Sequence, residues 1–186
     1  MTTKVMTTKV AVLVGSLRKD SYNRRLAQAL EKLAPDDFEF NFIRIDDLPL
    51  YNQDFDSDYP AVYTRLKQDI EAADAVLLVT PEYNRSFPGV IKNAVDIASR
   101  PWGTNSFAGK PAGLIGISIG AIGTAVAQQH MRTVLSYLDV RTMNRPEAYL
   151  TNSEGMFDAD GAIADANMRQ FLQGWMDNFV AWVTDK

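Results

Sequence analysis

A doubly wound α/β domain, with a parallel sheet covered by helices on both faces, is the fold class this sequence predicts. Three observations carry that expectation. Short, almost unbroken apolar runs such as Ala75–Thr80 and Pro111–Ser118 have the character of strands buried on both faces. A polar loop follows each run, and then an apolar stripe at three-four spacing, which together make a βα unit. Such units alternate along 186 residues that are 46% hydrophobic, enough for one domain with a substantial core and too few for two large ones.

Taken in order, the chain opens with Met1–Val5 repeated letter for letter as Met6–Val10. Only the second copy runs into an apolar strand, so residues 1–8 are expected to be a disordered N-terminal extension and residues 9–186 a single domain. The first strand spans about Val10–Val14 and ends at Gly15. Ser21 or Asn23 can cap a helix with Leu26, Ala27, Leu30 and Leu33 on one side, which Pro35 stops. Phe38–Ile45 reads as a second strand, and Asp46–Asp58 as a polar connection to a helix over about Pro60–Ala72. After the strand Ala75–Thr80, Pro88 suits the start of a helix carrying Val90, Ile91, Ala94, Val95 and Ala98. The loop Trp102–Lys110 leads to the strand Pro111–Ser118, and a third polar exit, Ser118–Thr124, leads to a helix bearing Ala127, Met131, Val134, Leu135 and Leu138. A short strand near Glu147–Leu150 and a long helix with Met168, Phe171, Leu172, Trp175, Phe179, Val180 and Val183 complete the series. Right-handed crossovers leave few topologies for such a chain, and the one expected at this size is the three-layer, flavodoxin-like sheet of five parallel strands in the order 2-1-3-4-5.

Composition excludes several functions. A net charge of -4, with no run of Lys or Arg, offers no field for nucleic acid. The chain contains no Cys, hence no disulfide, thiolate nucleophile or Cys-ligated metal. That fits a cytoplasmic protein, and no apolar run reaches membrane-spanning length.

Two polar loops leaving neighbouring strands, Gly15–Asn23 and Pro81–Gly89, could hold one ligand between them at the carboxyl edge of the sheet. The first feeds a helix N-terminus, a natural anion site, and Ser16, Arg18, Ser21 and Asn23 surround it with donors. Neither the G-x-G-x-x-G nor the G-x-x-x-x-G-K-[ST] pattern is present, so the loop suits a terminal monophosphate better than a pyrophosphate. Flavin mononucleotide (FMN) has that handle. The plainer alternative is a turn at Gly15 with Ser21 as a helix cap.

The motifs Gly15-Ser16-Leu17-Arg18-x-x-Ser21-x-Asn23, Pro81-Glu82-Tyr83-Asn84-x-Ser86-x-Pro88-Gly89-x-x-Lys92-Asn93-Ala94-x-Asp96 and Ser99-Arg100-Pro101 resemble, in order and spacing, the NAD(P)H-dependent FMN reductase family. That family includes bacterial chromate, quinone, azo-dye and ferric reductases. The resemblance implies that Ser16, Leu17, Arg18, Ser21, Tyr22 and Asn23 wrap the FMN phosphate, with Arg18, Ser21 and Asn23 as principal contacts. It also implies that Pro81, Glu82, Tyr83, Asn84 and Arg85 lie along the isoalloxazine edge and that Ser118 touches the cofactor from the far side. No side chain is then expected to act as nucleophile or base: NADPH or NADH gives hydride to flavin N5, and a small-molecule acceptor takes the electrons in ping-pong order. Members are homodimers or homotetramers, joined through the helices that begin near Pro88 and Thr124. Arg85 stands where some relatives have an aromatic residue beside the flavin. Val126 and Gln129 replace the Arg and Tyr of a subunit-bridging network, which puts a tetramer in doubt.

His130, the sole histidine, is expected on a helix face or at an interface rather than as a base. Asp54–Asp58 opens like a calcium loop but has Tyr59 and Arg65 where Gly and Glu are needed, and Asp158 and Asp160 are expected to shape the approach to the last helix. The alternative functions are a flavodoxin-type electron carrier, which would take no electrons directly from NADPH, and a binding protein without cofactor.

Overall fold

In the computed structural model, which describes residues 7–185, the apolar runs form the middle of a parallel sheet. β1 (Thr8–Val14), β3 (Ala75–Val79) and β4 (Pro111–Ser118) are buried almost throughout, and β2 (Phe38–Phe42) forms one edge. At the opposite edge lie β5 (Arg141–Thr142) and β6 (Tyr149–Thr151). The order is β2-β1-β3-β4-β5, all pairs parallel, which is the expected flavodoxin-like topology.

The outermost position departs from expectation. Instead of one strand it holds two fragments, β5 against Pro111–Ala112 and β6 against Gly116–Ser118. The intervening chain contains Pro146, which has no N–H to give to a ladder. β1 begins at Thr8, whose N–H donates to Asp37 O at 2.8 Å. Thr8 therefore belongs to the domain and not to the expected extension, whose residues 1–6 lie outside the described residues. β2 stops at Phe42 rather than Ile45; Ile43 N–H still bonds Val12 O at 2.9 Å, and beyond it Arg44 pairs with Asp46 and Asp47.

Successive residues of a strand point to opposite faces, and here each set meets its own helices. Val10, Val12, Leu77 and Ile115 pack under α1 (Tyr22–Glu31) and α5 (Ala166–Thr184) through Leu26, Leu30, Trp175 and Phe179. Ala11, Leu13, Val76 and Leu78 pack under α2 (Ala61–Glu71), α3 (Gly89–Ala98) and α4 (Ala125–Tyr137) through Tyr63, Leu66, Ile91, Val95, Met131 and Leu135. Each fully buried aliphatic or aromatic side chain contributes about 1.5–3 kcal/mol, which fixes the three layers firmly. Asp165, not Asp158 or Asp160, caps α5 by accepting from Met168 N–H at 2.7 Å, while Asp158 holds its own turn by accepting from Asp160 and Ala162 N–H.

Three strand ends converge on Thr80, which is fully buried just beyond β3. A Cβ on Gly15 would lie 2.8 Å from its Oγ1, and one on Gly116 would lie 1.9 Å from its carbonyl oxygen. Only glycine permits either approach. The loops leaving β1, β3 and β4 consequently open side by side at the carboxyl edge of the sheet.

Candidate active site

The loop after β1 is a row of unspent donors. Gly15 N–H bonds Val79 O at 2.8 Å, and Arg24 N–H bonds the Oγ of Ser21, the N-cap of α1, at 3.2 Å. Between these two points the backbone N–H groups of residues 16–23 find no partner among the described residues. A helix N-terminus with its donors free and its positive dipole end exposed is a seat for an anion. Arg18 arches over it, its guanidinium donating to Asp20 O at 2.9 Å and lying 4.9 Å from the centre of the Tyr22 ring. Asn23, expected among the phosphate contacts, lines the same cavity but spends its amide elsewhere: Nδ2–H donates to Ile117 O and Oδ1 accepts from Ile117 N–H.

The loop after β3 is a tight reverse turn. Tyr83 and Ser86 exchange backbone hydrogen bonds of 2.8 and 2.9 Å. The two central residues, Asn84 at φ 51° and Arg85 at φ 64°, are both left-handed, as a two-residue turn of the primed class requires. Glu82, Asn84 and Arg85 keep free N–H groups, with no partner among the described residues. Two contacts fasten this turn to α4. The Glu82 carboxylate, 7% exposed, accepts from Val126 N–H at 3.0 Å and Ala127 N–H at 3.1 Å, supplying the cap that Thr124 does not. His130 Nδ1 lies 3.1 Å from Ser86 Oγ, so the sole histidine braces the turn from a helix surface and lines neither of the cavities described next.

A cavity of about 290 Å³ joins the loops. Its lining includes Ser16, Arg18, Ser21, Tyr22 and Asn23 from the first, Pro81, Glu82 and Tyr83 from the second, and Ser118 at the end of β4. A second cavity of about 370 Å³ continues it past Glu82 and Ser118 to Asn84 and Arg85. Leu17 alone of the expected residues faces neither; it lines a separate cavity on the other side of the first loop. Sequence reasoning missed Ile117, Ile119 and Gly120–Gly123, which complete the wall. The signal was present in the polar exit of β4, of which only Ser118 was singled out. Tyr83 and Ile119, at 52% and 79% exposure, leave an apolar rim in water, a surface a flat ring can cover. A planar ligand with an anionic tail fits this groove: orphan donors meet the tail, free amides of the second loop meet the ring's polar edge, and the apolar rim meets its face.

The chain is similar to known proteins over almost its whole length. A family profile described as NADPH-dependent FMN reductase matches residues 8–155. A 2-hydroxy-1,4-benzoquinone reductase from Burkholderia is 56% identical over 181 residues, covering 97% of this chain and 99% of that protein. A quinone reductase from Pseudomonas putida is 47% identical over 175 residues, 94% of each chain. Among solved structures, the flavoenzyme NAD(P)H:(acceptor) oxidoreductase FerB from Paracoccus denitrificans superimposes with a TM-score of 0.92 at 50% identity, covering 95% of this chain and 97% of that one.

Proposed function

This chain belongs to the NADPH-dependent FMN reductase family, and on that premise we propose that it is a quinone reductase whose two substrates visit one open face in turn. Bound FMN supplies the redox chemistry, accepting hydride from NADPH or NADH and releasing the electrons to an acceptor. The protein's residues bind and orient. The free N–H groups of residues 16–23, with Ser16, Ser21 and Arg18, hold the phosphate. The N–H groups of Glu82, Asn84 and Arg85 meet the polar edge of the ring system, where donors stabilise the negative charge of the reduced state. Tyr83, Ile119 and Ile122 border the face left open to visitors.

The observation that carries this reading is the continuous groove from the donor row of the first loop to the turn at Asn84 and Arg85. Quinones are the favoured acceptors because they are flat, apolar and two-electron, like the rim they would cover. Azo compounds, chromate and ferric chelates are further acceptors for an open face. The relatives' names support the quinone choice, and the cytoplasm is the expected compartment. Assembly is proposed as a homodimer through α3 and α4. Gln129 spends its amide within its own chain, on Glu147 and Tyr149, and does not offer it to a tetramer contact; light scattering at the mass of a tetramer would refute this.

The deciding experiment is the absorption spectrum of the purified protein loaded with FMN, followed anaerobically on adding NADPH and then benzoquinone. Bleaching, then recovery of the yellow colour, is expected, with parallel-line initial-rate plots. Bound flavin that NADPH and NADH leave oxidised would indicate an electron carrier instead.

A further inference from the structure

A larger cavity of about 480 Å³ opens on the far side of the first loop, beyond the carboxyl ends of β1 and β2. Ser16 and Arg18 form a wall common to it and to the groove described above. Its chemistry differs from that of the groove. Lys19, Arg24 and Arg44 join Arg18 around it, against one carboxylate, Asp46. Asp46 is already engaged, holding the Arg44 guanidinium at 3.0 Å. Leu17, Ile43 and the Phe42 ring add apolar surface to a mainly polar lining, and the Arg24 guanidinium lies 5.5 Å from the centre of that ring.

Four cations in a lining that also includes an aromatic ring match a ligand that is flat at one end and multiply anionic at the other. Carboxyl ends of parallel strands are also where nucleotides bind in open α/β sheets. We propose that this cavity is a second binding site, taking the adenosine-phosphate half of a dinucleotide whose other half lies across the Ser16–Arg18 wall in the flavin groove. Two dinucleotides share that chemistry: the pyridine nucleotide donor, and flavin adenine dinucleotide (FAD) in place of FMN. The inference deepens the flavin reading and rests on it only for the second half of the ligand.

The test uses adenosine 2′,5′-bisphosphate, which carries the adenosine and phosphates and no redox ring, titrated calorimetrically into FMN-loaded protein. Arg24→Gln combined with Arg44→Gln alters two exposed side chains outside both the flavin groove and the loop 16–23, so FMN affinity should not change. The wild type should bind the bisphosphate, and the double variant should bind it at least about tenfold more weakly, the loss expected for removing charge-assisted contacts. Arg24→Gln, measured separately, should weaken it in the same direction. A raised KM for NADPH in the double variant identifies the pyridine donor as the source; a selective loss of FAD over FMN affinity in apoprotein identifies FAD. No bisphosphate binding by the wild type, or equal binding by all variants, overturns the proposal. FMN retention and bleaching by NADPH are measured on the same samples, so failure of the flavin reading would be seen separately.

Discussion

Asn23 and Ile117 exchange two hydrogen bonds, Nδ2–H to the carbonyl oxygen at 2.9 Å and N–H to Oδ1 at 3.0 Å. β3 has ended by this level, its last pairing with β4 being Val79 to Ile115, so the Ile117 backbone has no strand on that side. A primary amide presents a donor and an acceptor in one plane, as a strand does, and Asn23 takes the missing strand's place. α1 is thereby fastened to β4 beneath the groove between the loops.

Asn23→Ala should therefore act mainly on stability. Both residues are almost fully buried, so the substitution strands one donor and one acceptor away from water. At about 1–3 kcal/mol for each unsatisfied group, a loss of about 2–6 kcal/mol is expected in urea unfolding. A loss below 0.5 kcal/mol would mean that water or a shifted backbone replaces the amide, on the scale of an ordinary surface change at about that value.

Arg18→Ala should act on the cofactor instead. The guanidinium is exposed and held over the donor row by Asp20 O and Tyr22, so its removal leaves the core untouched. A charge-assisted contact is worth about 1.5–3 kcal/mol, so FMN should bind about tenfold or more weakly in a fluorescence titration at unchanged melting temperature. Unaltered FMN affinity would remove Arg18 from the phosphate site.

These two residues mark what a sequence can and cannot tell. β1, β3 and β4 are legible because burial on both faces leaves apolar runs, and the helices because their stripes repeat. β5 is not legible: it has two residues, Arg141 and Thr142, and exists only because β4 offers it an edge. The two loops that border the groove carry recognisable motifs, but their fastenings leave no local signal. Asn23 reads as a helix cap or phosphate ligand, and its partner Ile117 is 94 positions away. Glu82 reads as one acid in a polar loop, and the N–H groups it accepts lie on α4, 44 and 45 positions on.

Glu82 should accordingly be a positioning residue. Glu82→Ala removes the cap of α4 and frees the Asn84–Arg85 turn, at a cost of about 0.5–2 kcal/mol. Glu82→Gln keeps an acceptor oxygen for the two N–H groups and should recover most of that stability. The same order, wild type then Gln then Ala, is expected for FMN retention on gel filtration. Equal retention by all three would detach the turn's position from the cap.

Tyr63 gives the protein a pH-dependent stability at the alkaline end. Its ring is fully buried, its O–H donates to Leu50 O at 2.8 Å and Pro49 O at 3.1 Å, and burial raises its pKa. The folded chain keeps a proton that the unfolded chain releases near about pH 10. Stability from this phenol is thus complete below that pH and is lost as pH rises toward the folded pKa. Tyr63→Phe should lower stability at pH 8 by about 1 kcal/mol through the lost hydrogen bonds, and flatten its decline above about pH 10. Parallel declines for wild type and Tyr63→Phe would show that other groups set the alkaline limb.

Arg85 sets stability against function. It occupies the second central position of a primed two-residue turn at φ 64°, where glycine is the unstrained choice and a side chain costs about 1–2 kcal/mol. Arg85→Gly relieves that strain while adding freedom to the unfolded chain worth about 0.5–1 kcal/mol, so a net stabilisation of up to about 1.5 kcal/mol is expected. Its guanidinium, 68% exposed and 3.5 Å from Glu82, lines the cavity that continues the groove between the loops, where an anionic visitor would meet it. The glycine variant should show a raised KM for NADPH with FMN retained, because the turn's free N–H groups remain in place. A chain made more stable with unchanged KM would reduce Arg85 to a solvated loop cation; a chain made less stable would show that the Glu82 contact outweighs the backbone strain.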